Sequence, residues 1–325
     1  MNFLRSVFLS ITIALVVAAT PATASPSLQI YIDMTAPGDT LNIRPGPYVG
    51  PVTINKPIIL NGHGKVTLNG RGRGTIMTIT CDGVEVRNMR LTGSGRSHDQ
   101  VDSGVLIKAN HVVFENNTVD NCLFGVHVSK GNHNIIRNNV ISSLIDREIV
   151  LRGEGVRLWY SRYNLIENNI LFMIRDMVLT NSPYNKIFGN EISDGRMGME
   201  LVYSQGTEIA HNILLENEHG IVGLYSDSLY IHHNRIEHQD KLSGSAIAVK
   251  GSSQTRIEYN EILDCAVGLT ANAPIFPENI LYLVGNKFIY NSVAMFFYGD
   301  KGGHIIHGNH FQGNFQQVAV TAPSS

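Results

Sequence analysis

Nine times along the chain a short apolar segment closes on an asparagine. "VVFENN" ends at Asn117, "NIIRNN" at Asn139, "NLIENN" at Asn169 and "NKIFGN" at Asn190. "TEIAHN" ends at Asn212, "LYIHHN" at Asn234, "TRIEYN" at Asn260, "LYLVGN" at Asn286 and "HIIHGN" at Asn309. Counted along the chain, these asparagines step by 22, 30, 21, 22, 22, 26, 26 and 23. A repeat this short cannot bury its apolar side alone, so the units must stack. Within a unit such as "GVHVSKGNHNIIRNNVIS", Val126, Val128, Ile135 and Val140 alternate with polar neighbours. That period of two is the signature of strands. With no helical stretch between them, two or three strands per unit fit one turn of a right-handed parallel β-helix, an all-β solenoid of ~22-residue coils.

Stacking also explains the asparagines. Equivalent positions of neighbouring coils lie about 4.8 Å apart. An asparagine at a bend can then bond its amide to those above and below, which satisfies polar groups that are costly to bury singly. Asn117, Asn139, Asn169, Asn190, Asn212, Asn234, Asn260, Asn286 and Asn309 are expected to hold one corner of the coil, with no part in catalysis.

The start of the chain reads as an export signal, with Arg5, the apolar run "SVFLSITIALVVAA" and small residues at Ala22 to Ala24. Cleavage is expected after Ala24, leaving residues 25–325 as a single β-helix domain in the periplasm. No later stretch has the ~20 unbroken apolar residues of a membrane span. The net charge of −2 gives no support for a nucleic-acid partner. Cys122 and Cys265 each follow a repeat asparagine by five positions, six coils apart. At about 4.8 Å per coil they stand roughly 29 Å from each other, too far for a disulfide. Three free thiols are expected. Three coils carry long excursions, at 92–103, 142–154 and 237–244, all leaving from the same corner, and these should form one lip.

The segments "GSGRSHDQVDSG", "CLFGVHV", "RGEGVRLWYS", "RYNLIENN" and "HGNHFQGNFQQVAV" resemble the NosD family, as do the export signal and the Pro-Gly-Asp opening. The likeness runs from about residue 28 to residue 320. It implies an exported β-helix that helps to mature the copper centres of nitrous oxide reductase. Such a protein works with an ABC-type transporter and a copper chaperone, and no catalysis by the β-helix is implied. The family usually continues past the position where this chain ends, Ser325, with a Trp- and Asp-rich segment. Where family members tend to carry His and Met within two coils, this chain has Glu200, Val202 and Leu224.

Copper needs soft or imidazole donors that converge. His211 and His233 each precede a ladder asparagine one coil apart, and His232 stands beside them. Met177, Met197, Met199 and His219 fall near the start of three consecutive coils. Two readings stay open for the histidines, a metal site and a hydrogen-bonded surface ladder; methionines at such positions are commonly core filler. His127, Arg157 and Glu200 make a mixed-charge outward stripe, either a solvated face or part of a docking surface. Tyr160, Tyr203 and Tyr225 are expected to stack in the core at a bend, with a sugar platform as the alternative.

The competing function is a carbohydrate-active enzyme, a lyase, hydrolase or epimerase on the same scaffold, or a passive carbohydrate-binding solenoid. Hydrolysis requires paired carboxylates facing one groove. The acids on the lip side, among them Glu154, Asp176 and Glu216, are spread one per coil with no doublet. The resemblance to the NosD family, more than that spacing, makes the accessory role the stronger expectation.

Overall fold

The computed structural model describes residues 27–239, 243–272, 280–299 and 303–321. The expected leader, residues 1–24, lies outside them. Among the described residues the strands form two sheets, of 22 and 12 strands, in which all registered pairs are parallel. The chain is a parallel β-helix of about twelve coils. Each regular coil gives two short strands to the large sheet, such as Ile135–Arg137 and Val140–Ser142. It then gives one longer strand, such as Val156–Trp159, to the other sheet.

The core follows from the alternation. One middle residue of each short strand turns inward and meets its counterpart one coil on. Ile136, Ile166, Ile187, Ile209, Ile231 and Ile257 form one such file, each fully buried. Each side chain buried in this way contributes roughly 1.5–3 kcal/mol. At the N-terminal end the short helix Leu28–Met34 lays Leu28 and Ile32 over the first coil, with the Ser27 side chain accepting from the Gln29 N–H at its start.

The asparagines occupy the bend between the two short strands. The Asn139 backbone N–H and Nδ2 both donate to Oδ1 of Asn169, at 3.0 and 2.9 Å, and Nδ2 also donates to the Phe114 carbonyl. Backbone-to-Oδ1 bonds of this kind run without a break from Asn117 to Asn309. Other ladders escaped the sequence reading. Ser161, Ser182, Ser204, Ser226 and Ser252 form one, each hydroxyl oxygen accepting from the preceding coil's N–H. Asn134, Asn164 and Asn185 form another.

Corners require a left-handed residue just before the inward polar one. Asn116, Asn138, Asn168, Gly189, His211, His233, Tyr259, Gly285 and Gly308 fill that position before the main ladder, all with positive φ. Because the next residue points inward, the left-handed one points out. This corrects the expectation of a tyrosine stack in the core. Tyr160, Tyr203 and Tyr225 sit at such corners and are 53%, 53% and 43% exposed.

The excursions at 92–103 and 142–154 meet as one lip. Arg96 pairs with Asp146 at 3.4 Å, and a His98 ring nitrogen lies 3.3 Å from the Leu151 carbonyl. Leu123, Phe124 and Leu144 form a small separate core beneath them. In the third excursion, residues 240–242 lie outside the described ones. All three cysteines are free. Burial pushes the Cys122 and Cys265 thiols up to about 12, so neither offers a thiolate at neutral pH.

Candidate metal centre

His211 and His233 hold equivalent corners of adjacent coils, and their rings stack with centroids 5.2 Å apart. A left-handed backbone is cheap for Asn or Gly and costly for most other residues. The earlier coils use Asn and Gly at this corner, whereas here the chain carries imidazoles with φ of 57° and 53°. His232 ends the strand Tyr230–His232, where its ring stacks on Tyr230 at 3.9 Å and stands at 86° to the His233 ring. Nδ1 of His232 lies 2.9 Å from Nδ1 of His233. One ring nitrogen from each of His211, His232 and His233 falls within 4.8 Å of the others. Three imidazoles on one ion at about 2.0–2.1 Å each would have nitrogens roughly 3.5 Å apart. Small ring rotations therefore close the site.

Behind the triad, Nε2 of His232 lies 3.3 Å from Oε1 of Glu208. A carboxylate on the far nitrogen fixes the tautomer and orientation of a ligating histidine. Burial holds the His232 pKa below the usual imidazole value, against the opposing pull of Glu208. Its side chain is only 12% exposed, so it stays neutral and keeps Nδ1 available near pH 7. Tyr259 continues the stack below His233, and beside the pair opens a shallow cavity of about 470 Å³ that Arg235, Glu261 and Lys287 also line.

The other expected donors do not join this group. Met177 and Met199 are fully buried in the core. A bulge explains part of that: Asp176 pairs with Met197, but Val178 pairs with Glu200, so one extra residue shifts the alternation. Met197 is half-buried and pairs with His219 at the start of the 12-stranded sheet. There Nδ1 of His219 already accepts the Ser245 N–H. That pair belongs to a different corner from the triad.

His127, Arg157 and Glu200 do fall in one file, through Val178, on the outer face of the 12-stranded sheet. They are more withdrawn than a solvated face. Arg157 lies over the Trp159 and Phe124 rings at 5.2 and 5.9 Å, and its Nε has no hydrogen-bond partner among the described residues. Burial first, then the charges of Arg157 and Lys108, push the His127 pKa down to about 4. The acids on this side are not dispersed, contrary to their spacing in sequence. Asp176, fully buried, is bound by Arg175 at 2.8 Å and Arg196 at 2.7 Å. Arg175 also holds Glu154, and Arg196 stands 3.8 Å from Glu200. Burial, then the charge of Asp176, raises the Glu200 pKa.

A family model described as "Periplasmic copper-binding protein (NosD)" matches residues 143–324, more than half of the chain. The chain belongs to the NosD family. A curated relative in Pseudomonas aeruginosa, "Probable ABC transporter binding protein NosD", is 26% identical over 158 residues. That stretch is 48% of this chain and 37% of the relative, so the likeness spans little more than a third of the relative's length. The whole histidine triad lies inside the part matched by the family model.

Solved structures share the fold. The catalytic domain of a GH87 alpha-1,3-glucanase in complex with nigerose superposes with a TM-score of 0.70 at 13% identity, over 93% of this chain and 66% of that one. The A-module of the Azotobacter vinelandii mannuronan C-5 epimerase AlgE6 gives 0.56 at 15% identity, over 91% and 95%. The periplasmic alginate epimerase AlgG gives 0.59 at 13% identity, over 86% and 79%. Among the described residues no helix is long and apolar enough to cross a membrane.

Proposed function

We propose that this protein is a periplasmic accessory that holds copper in transit during the maturation of nitrous oxide reductase. The observation that carries the reading is the convergence of His211, His232 and His233, with Glu208 behind His232. Imidazole nitrogens suit copper. The family's copper-binding description and the relative's transporter name support the same reading. Export by residues 1–24 brings the chain to its partners: an ABC-type transporter, a copper chaperone and the reductase. The file His127, Arg157 and Glu200, flanked by the lip, is the surface proposed to dock them.

A carbohydrate-active enzyme is the second reading, and the Glu154–Asp176–Glu200 cluster is the observation that favours it. The arginines that grip Glu154 and Asp176 weigh against it, because a carboxylate held in an ion pair is a weak general base.

The test is a Cu(I) titration of residues 25–325 against a chromophoric chelator, without oxygen, with Zn(II) in a parallel run. One copper per chain, bound at sub-micromolar Kd, is expected. Failure to compete with the chelator contradicts the copper role and moves the effort to cleavage assays on acidic polysaccharides.

A further inference from the structure

A second corner of the coil follows the strands of the 12-stranded sheet. Its left-handed position holds Lys130, Tyr160, Asn181, Tyr203, Tyr225 and Gly251 in successive coils. Where two aromatic residues are neighbours in this column they stack, as Tyr203 and Tyr225 do with centroids 5.4 Å apart. Tyr160 and Tyr203 are two coils apart, and Asn181 stands between them. Two coil steps separate the rings by roughly 10 Å, and the short asparagine leaves the place of one ring vacant. The result is a surface slot of about 410 Å³ lined by Tyr160, Arg162, Asn181, Pro183, Tyr203 and Gln205.

We propose that this slot binds one pyranose ring of an acidic polysaccharide, sandwiched between Tyr160 and Tyr203. The spacing admits one ring, and the walls are the aromatic faces on which the C–H faces of a sugar stack. Asn181 and Gln205 offer amide donors and acceptors for ring hydroxyls. Arg162 makes no side-chain hydrogen bond or ion pair among the described residues, and an unpaired guanidinium at the rim selects a carboxylate. A plain apolar ring would leave all three polar groups unused. In the neighbouring corner, by contrast, His111, His133, Tyr163 and Tyr184 form a complete stack, with no place left open. This site is independent of the copper reading.

The chain supplies its own reporter. Trp159 is the single tryptophan, and its ring stands edge-on to Tyr160 at 5.3 Å. Residues 25–325 would be titrated with an oligogalacturonate tetrasaccharide, following tryptophan emission and heat. A saturable emission change with one ligand per chain is expected. Tyr203→Ala should weaken binding by roughly tenfold, the loss of one stacking wall. Arg162→Gln should reduce the preference for the uronate over a neutral cello-oligosaccharide. Asn181→Tyr is the decisive variant: it completes the column at a backbone conformation its neighbours already carry with tyrosine. It should abolish binding while leaving the melting temperature unchanged or raised. No emission or heat change with the uronate at millimolar concentration overturns the proposal. So does wild-type binding by Asn181→Tyr, or a response confined to a free aromatic acid such as benzoate.

Discussion

Two pairs of histidines in this chain look alike and sit in different company. His111 and His133 are one coil apart, left-handed, and stacked at 5.2 Å. His211 and His233 are also one coil apart, left-handed, and stacked at 5.2 Å. The first pair runs on into Tyr163 and Tyr184 and is a surface stack of flat rings. The second has His232 set across it, with a carboxylate behind. Stacking alone brings rings face to face and leaves their nitrogens side by side. Only a ring that enters at a steep angle turns a nitrogen toward its neighbours. On the proposed copper reading, the difference between a decorated corner and a metal centre is one residue, the histidine before the left-handed one.

The largest effect should come from removing that residue. His232→Gln is expected to weaken Cu(I) binding by at least about 100-fold, the loss of one of three ligands. The double change His111→Gln/His133→Gln should leave the affinity within about twofold. Competition with a chromophoric chelator reads both, and equal losses in the two variants would erase the distinction between the pairs.

Asn212→Leu should act on the scaffold beneath the site. Asn212 donates to the Ile187 carbonyl and to Asn234, and accepts from Asn190. Its loss leaves buried partners unpaired, at a cost on the order of 2–4 kcal/mol. Denaturant unfolding should show that drop, while copper affinity of the folded protein changes little. Loss of affinity at full stability would make the ladder part of the site.

Next in size is Glu208→Gln, which removes the charge that orients His232. A fall in copper affinity of roughly 10- to 100-fold is expected, with unfolding midpoints nearly unchanged. An unaltered affinity would mean that His232 is positioned by its stacking on Tyr230 alone.

The last effect, absent at neutral pH, is on acid stability. His127 is neutral in the folded state down to about pH 4, against 6.5 for a free imidazole. Both folded and unfolded forms are neutral at pH 7, so nothing is lost there. Below pH 6.5 the unfolded chain takes up a proton that the folded chain refuses, and stability falls toward pH 4 by up to roughly 3 kcal/mol. His127→Gln should flatten that decline between pH 6.5 and 4. A decline as steep as the wild type's would show that His127 titrates normally.

The main ladder was legible in the sequence because one residue type recurs at one spacing. The serine ladder was not, because serine is common in turns and carries no distinctive neighbours. The pair His211 and His233 could be found from the one-coil step. The steep angle of His232, on which the proposed centre rests, could not. Met199 was misplaced by counting, since the extra residue between Met197 and Glu200 changes which alternate residues face inward, whereas Met177 is buried by the plain alternation that places Val178 opposite Arg157. The arginine-bound acids Glu154 and Asp176 were hidden for the opposite reason. They lie one coil apart in sequence, which reads as dispersion along a chain and is adjacency in a solenoid.

The measurement that tests the central claim most directly is X-ray absorption at the copper edge on the Cu(I)-loaded protein. A copper held by His211, His232 and His233 should show three nitrogen scatterers at about 2.0–2.1 Å with the outer-shell pattern of imidazole, and no sulfur. A sulfur shell, from Met197 or a cysteine, would contradict the histidine centre and move copper to another part of the coil.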